Sequence, residues 1–232
     1  MGRIILLRHG QASFGAADYD CLCAKGTEQA EHLGKVLQAR GERIDALWSG
    51  TLQRHRQTAE GLLRGGAWHL EPGVLADLDE FDHQQVIARH EPRYRDHHTM
   101  MRELAAAEDP RNAFATMFGA ALARWYGGSA DDEYDEPWSH FQARCRRALT
   151  QVSSTMSGKD ETHLVVTSGG VIAVLVQALL GLSDEAAMQV NCTLANASMT
   201  TLQTNAAGRH KLLSLNEHSH FRGHHHHLLT WR

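Results

Sequence analysis

Short apolar runs ending in charged or glycine-bearing turns, each followed by a stretch of helical periodicity, constrain this fold more than any other feature. Arg3-Ile4-Ile5-Leu6-Leu7-Arg8 is the first. Its unbroken apolar centre offers no polar face to water, as expected of a strand covered on both sides. From Gly26 the spacing becomes helical, with Ala30, Leu33 and Leu37 on one face and Gly41 as the stop. Ile44-Asp45-Ala46-Leu47-Trp48 reads as a second strand. Ser49 is placed to cap the next helix, which carries Leu52, Ala59 and Leu62 and ends near Gly65-Gly66. Residues 163–167 and 171–180 repeat the strand-then-helix order across Ser168-Gly169-Gly170. Residues 198–204 and 210–215, on either side of the turn at 205–208, read as a closing hairpin. Such alternation builds an α/β fold of three layers, α/β/α, around a mostly parallel sheet with an antiparallel edge.

Residues 84–157 show helical spacing only. Phe114, Met117, Phe118, Leu122 and Trp125 share one face, and so do Trp138, Phe141, Cys145, Leu149, Val152 and Met156. An acidic loop at residues 131–136 separates them, and both stripes read as core. A helical insertion between strands of an α/β sheet is expected to act as a cap over the site. At 232 residues, with no internal repeat and no low-complexity linker, the chain reads as a single domain, 1–232, carrying this insertion.

Hydrophobic residues make up 42% and charged residues 22%, a balance that excludes disorder as the main state. The net charge of −4 argues against a nucleic-acid partner. The apolar run at 171–182 is shorter than a membrane span and contains Gln177, so no membrane partner is expected. Ile4 to Leu7 is too short a run for a signal peptide, and Leu6 stands where a myristoylation signal needs Ser or Thr. Cys21, Cys23, Cys145 and Cys192 form no CxxC pair. These features point to reduced thiols in the cytoplasm, where the sequons at Asn191 and Asn196 have no consequence.

Ligands of open α/β sheets bind beyond the carboxyl ends of the strands. Arg8-His9-Gly10 lies at the end of the first strand. Arg8 offers a fixed fork of donors suited to phosphate, and His9 can serve as nucleophile, acid or base. Gly10 lets the chain turn sharply and brings backbone N–H groups close to a ligand. Taken alone, this leaves a structural histidine as the commoner reading. The segment Ser49-Gly50-Thr51-Leu52-Gln53-Arg54 alters the balance. Arg54 sits one turn into its helix and can point back to the sheet's ligand edge, and the helix N-terminus itself favours an anion. Two arginines, a helix end and a histidine then converge, and phosphate is the anion of best fit.

At this point the sequence resembles the histidine phosphatase superfamily, also called the phosphoglycerate mutase-like family. The resemblance rests on Leu7-Arg8-His9-Gly10-Gln11, then Gly26-Thr27-Glu28-Gln29-Ala30, then Ser49 through Thr58-Ala59 around Arg54. It continues through Leu78-Asp79-Glu80-Phe81-Asp82, Val165-Val166-Thr167-Ser168-Gly169-Gly170 and the closing Leu229-Thr230-Trp231-Arg232. It implies phosphoglycerate mutase-like topology and metal-independent hydrolysis of small phosphomonoesters, with no cofactor. His9 matches the nucleophile that takes the phosphoryl group on a ring nitrogen. Arg8 and Arg54 match the two arginines that hold its oxygens, with Ser168 and Gly169 as further phosphate contacts. Glu80 matches the acid that protonates the leaving oxygen, a role that needs a partly dry site at neutral pH. Asp77, Asp79 and Asp82 are rival acids in the same loop.

The match breaks at one place. The family expects a second histidine before the Gly-Gly pair, and Ser168 stands there. A serine hydroxyl donates a neutral hydrogen bond, roughly half as strong as a charged one. Three expectations follow: a slow enzyme, a substitute histidine from elsewhere (His83 or His220), or a phosphate-ligand-binding protein without turnover. A phosphoglycerate mutase is disfavoured, because Gln11-Ala12-Ser13-Phe14-Gly15 lacks the Asn and Trp found after the first motif in the mutases. Six of the 17 histidines fall between positions 218 and 227, including the run at 224–227. A run without spaced ligands or carboxylates is a poor metal site, so an exposed loop is expected there. On His32 and His55 a packing or surface role is expected, and on His163 a structural one; His97 and His98 read as surface.

Overall fold

The computed structural model describes residues 2–13, 20–157, 160–205 and 207–231. Phe14 and Gly15 of the segment that argues against a mutase, Ala206 in the hairpin turn and the terminal Arg232 lie outside the described residues. The chain divides into two compact units, one of residues 1–80 and 144–232 and one of residues 81–143.

The first unit is built on a six-stranded sheet. Its elements begin with β1 (Gly2–Arg8), α1 (Ala24–Ala39), β2 (Ala46–Ser49), α2 (Gln53–Gly66) and β3 (Gly73–Val74). After the helical unit come β4 (Thr162–Thr167), α7 (Gly169–Leu180), α8 (Asp184–Thr193), β5 (Met199–Thr204) and β6 (His210–Glu217). The strand order is β3-β2-β4-β1-β5-β6. β1, β2, β3 and β4 pair in parallel, and β5 runs antiparallel to both β1 and β6.

Alternation along the strands divides the sheet's two faces. Ile5, Leu7, Leu47, Leu164, Val166 and Met199 pack on one face with Leu33 and Leu37 of α1 and Ala59 and Leu62 of α2. Ile4, Leu6, Val165 and Leu202 point to the other face and are buried as well. There α7, apolar all round and buried from Gly169 to Gln177, lies against β1 and β6. Coverage on both faces is what permits unbroken apolar strands.

Ser49 does not cap α2. It lies in β2, and its hydroxyl donates to the Gly50 carbonyl at 2.9 Å. The N-cap is Leu52, which has no capping side chain, and carboxylates from elsewhere in the chain take over: Asp79 accepts Thr51 N–H at 2.6 Å and Asp20 accepts Gln53 N–H at 2.8 Å. A local sequence signature cannot reveal a cap brought in by tertiary folding.

The second unit holds α3 (His83–His90), α4 (His97–Ala105), α5 (Pro110–Tyr126) and the start of α6 (Trp138–Ser154), with short 3-10 turns between them. Its centre is aromatic: Phe81, Trp125, Trp138 and Phe141 meet with centroid separations of 4.7 to 5.8 Å. Leu122 and Trp125 are core, as expected, but Phe114, Met117 and Phe118 at the other end of the α5 stripe are only half-buried, and Phe114 stacks on Phe118. The later part of α6 belongs to the sheet unit, where Cys145, Ala148 and Val152 are buried.

A buried amide ties the start and end of the sheet unit together. Gln29 on α1 accepts Gln11 N–H at 2.7 Å and donates to the Leu228 carbonyl at 2.6 Å and to Thr230 Oγ1 at 2.9 Å. Replacing it with an apolar isostere strands these groups without water. Gln29→Leu is expected to cost about 2–3 kcal/mol, read as a lower urea midpoint at an unchanged slope.

Candidate functional site

The end of β1 is held on both sides. Arg8 lies opposite Thr167 of β4, His9 N–H donates to the Thr167 carbonyl at 2.9 Å, and the His9 carbonyl accepts Ala197 N–H at 3.2 Å. The next residue turns hard against α1. A Cβ on Gly10 would stand 2.4 Å from the Gly26 carbonyl oxygen, and one on Gly26 would stand 2.1 Å from the Gln11 carbonyl oxygen. Both glycines of the two motifs are therefore demanded by one close backbone approach. Gly10 N–H donates to Thr58 Oγ1 at 3.1 Å, which joins the turn to α2.

His9 is buried, and its Nδ1 lies 2.7 Å from the Gly10 carbonyl. A carbonyl only accepts, so Nδ1 carries the hydrogen and Nε2 keeps its lone pair. Burial holds the His9 pKa well below the usual histidine value, with Arg54, His55 and Arg8 adding to the effect and the Gly10 carbonyl opposing it. A neutral ring with a bare Nε2 close to two arginines is chemically able to act as a nucleophile toward an anionic group.

Arg8 donates to the Leu194 carbonyl beyond α8. Arg54 is buried, and its Nη1 bonds Asp20 Oδ1 at 2.6 Å. Glu80 follows the 3-10 turn at Ala76–Leu78, and its carboxylate accepts Gly170 N–H at 3.0 Å in the first turn of α7. The rival acids have other partners. Asp77 pairs with Arg147, Asp82 caps α3 through Gln85 N–H, and Asp79 binds the start of α2. Ser168 is the N-cap residue of α7, fully buried, and a Cβ on Gly169 would meet Asn191 Oδ1 at 2.3 Å. The first residues beyond two neighbouring parallel strands, His9 and Ser168, thus emerge side by side with Glu80 at the helix start.

One residue is brought here that sequence reasoning placed among packing or surface histidines. His55 on α2 is fully buried, its ring centroid is 5.6 Å from that of His9, and its Nε2 lies 2.7 Å from Ser168 Oγ. The signal was present in the spacing. His55 falls at i, i+3, i+4 and i+7 with Thr58, Ala59 and Leu62, the inward stripe of α2. The substitutes named from the sequence are two other histidines. His220 bonds the Ala197 carbonyl through Nε2 at 3.1 Å and packs on Phe221, and His83 opens α3 in the helical unit.

The run at 224–227 forms an exposed 3-10 turn anchored by buried Phe221 and Leu228, with His225 against His32 at 3.9 Å between ring centroids. Among the described residues no group of three or more His, Cys, Asp or Glu could hold a metal ion. Among them, too, no helix is long and apolar enough to cross a membrane.

A mostly parallel sheet thus carries two arginines, a neutral histidine and a carboxylate at its carboxyl edge, an arrangement chemically suited to an anion. The family model for the histidine phosphatase superfamily (branch 1) matches residues 4–218, and the chain belongs to that superfamily. Solved structures share the fold. A putative alpha-ribazole-5'-P phosphatase from Escherichia coli is 22% identical, with coverage of 94% of this chain and 98% of that one and a TM-score of 0.63. A phosphoglycerate mutase from Bacillus anthracis is 18% identical, with coverage of 94% of each chain and a TM-score of 0.64. A phosphoserine phosphatase from Entamoeba histolytica in complex with phosphoserine is 17% identical, with coverage of 95% and 99% and a TM-score of 0.64.

The buried histidines also set an acid limit on stability. Burial, reinforced by His32, pushes the His220 pKa down to about 3. Between the ordinary histidine value near 6.5 and about 3, the unfolded chain takes up a proton that the folded one refuses. Stability is therefore full above this window and falls as pH drops through it, at about 1.4 kcal/mol per pH unit for this group. Chemical denaturation from about pH 6.5 to 5 is expected to show a shallower loss in His220→Phe than in the wild type, by one proton.

Proposed function

We propose that the chain is a metal-independent hydrolase of small phosphomonoesters that works through a phosphohistidine on His9. The observation that carries this reading is the His9 ring, held through Nδ1 by the Gly10 carbonyl so that Nε2 is left unprotonated, with Arg54 and Arg8 near enough to lower its pKa further. Nε2 attacks phosphorus in line with the ester oxygen. The N–P bond forms as the P–O bond breaks, and the leaving oxygen takes a proton from Glu80. Water then attacks the phosphohistidine, gives its proton to Glu80, and releases inorganic phosphate with His9 restored.

Charge on the transferring group is met by Arg8 and Arg54, by the backbone N–H of Gly169 at the start of α7, and by the Ser168 hydroxyl. Such preorganised donors account for most of the rate in phosphoryl transfer. A phosphate-binding role without turnover would need the same anion site but no covalent step, so the phosphorylated intermediate separates the two.

With a generic aryl phosphate, His9→Ala is expected to lower kcat/KM by about 10³ or more, and acid-stable quenching is expected to miss the label while alkaline work-up traps phosphohistidine in the wild type only. Equal turnover in both proteins overturns the reading. Glu80→Gln is expected to slow alkyl phosphates by about 10²–10⁴ and aryl phosphates far less, because a nitrophenolate leaves without a proton.

A further inference from the structure

Ser168, His55 and Asp79 form a line that leads from the sheet edge into the protein. Ser168 Oγ is 2.7 Å from His55 Nε2, and His55 Nδ1 faces Asp79 Oδ1 at 3.6 Å. Gly50 makes the second approach possible, since a Cβ there would stand 2.2 Å from His55 Nδ1 and 2.4 Å from Asp79 Oδ1. Asp79 is itself fixed by Thr51, whose N–H and hydroxyl both bond it. Packing alone does not call for this arrangement: an aliphatic side chain would fill the α2 stripe without burying a polar ring.

We infer that Asp79, His55 and Ser168 act as one relay that delivers positive charge and a hydrogen bond to an anionic group at His9, in the place where the family resemblance implies a second histidine. This rests on the phosphoryl site proposed above. In this relay, with no anion bound, His55 is neutral. Its Nδ1–H faces the Asp79 carboxylate, and its Nε2 accepts from the Ser168 hydroxyl. When a dianion enters, one proton from solvent adds to Nε2. The new N–H donates to Ser168 Oγ, and the Ser168 hydroxyl turns to donate to the ligand. No other bond changes. Ser168 touches the ligand; His55 and Asp79 are positioning residues.

The charged groups facing His55 decide when it takes the proton. Asp79 from the loop after β3 and Asp20 from the segment before α1 favour the imidazolium, and Arg54 beside it on α2 opposes it. His9 at the end of β1 is the other titratable neighbour. Burial outweighs the carboxylates and holds the His55 pKa below the usual value, so the proton comes with the ligand rather than before it.

Inorganic sulfate tests this, because it does not titrate near neutral pH and any proton taken up on binding belongs to the protein. By calorimetry, the wild-type binding constant is expected to fall with rising pH about tenfold per unit more steeply than that of His55→Gln. Equal slopes overturn the relay, and so does failure of the wild type to bind sulfate at low pH. A measurement without any substitution accompanies it: in the wild type, the ring-nitrogen NMR shifts of His55 should move to imidazolium values on saturation with sulfate, and shifts that stay neutral overturn the relay. The two proposals fail separately. Sulfate binding with the extra proton but no phosphohistidine and no hydrolysis removes the enzyme and leaves the relay. Hydrolysis through His9 with equal sulfate slopes removes the relay and leaves the enzyme.

Discussion

The parallel pairing of β1 with β4, Arg8 opposite Thr167, is the contact on which the site depends. It brings His9 and Ser168 out of the sheet next to each other, and the segment leading into the antiparallel neighbour β5 holds the same point from the other side through Ala197. Every other part attaches to this pair. Gly10 rests on α1 through Gly26, Thr58 joins the turn to α2, and Glu80 reaches the first turn of α7. A strand end fixed in this way can hold a reactive ring within the small tolerance that chemistry requires.

The way the helices are capped sets the first helices of the helical unit apart from the two that open at the site. In the helical unit, α3, α4 and α5 each begin with their own aspartate cap, at Asp82, Asp96 and Asp109. The two helices that open at the site, α2 and α7, have no side-chain cap of their own. Their N–H groups bond carboxylates carried in from distant segments, Asp20 and Asp79 at α2 and Glu80 at α7. Helix starts without local caps keep their donors and their positive dipole end available to whatever anions the fold assembles there. The same carboxylates offset the charge of a cluster that holds Arg8, Arg54 and two histidines in little water.

Much of the fold was legible in the residues. The apolar runs at β1 and β4, the helical stripe of α1 and the closing hairpin appear close to where their spacing placed them, because strands buried on both faces and amphipathic helices leave periodic traces. Arg8, His9 and Arg54 could be placed at the sheet edge for a similar reason: Arg8 ends β1, His9 follows it, and Arg54 lies in the first turn of the helix after β2. The cap of α2 was not legible. Ser49 fits the local rule, yet Asp20 and Asp79 meet those N–H groups after folding. Phe114 and Phe118 fit a core stripe but are half-buried, since periodicity gives the face of a helix and not the depth of what covers it.

His55 shows where the boundary lies. By itself the sequence determined that a histidine and two arginines gather at the carboxyl edge of a parallel sheet, and that a serine stands where a second histidine was expected. Those facts depend on local spacing and on the order of strands and helices. Only the tertiary structure decided that the inward stripe of α2 carries an imidazole to that serine and sets a carboxylate behind it. Residues 55, 79 and 168 are far apart in the chain, and their meeting depends on the β2–β4 pairing and on the absence of a side chain at Gly50. No local periodicity records a contact of that kind.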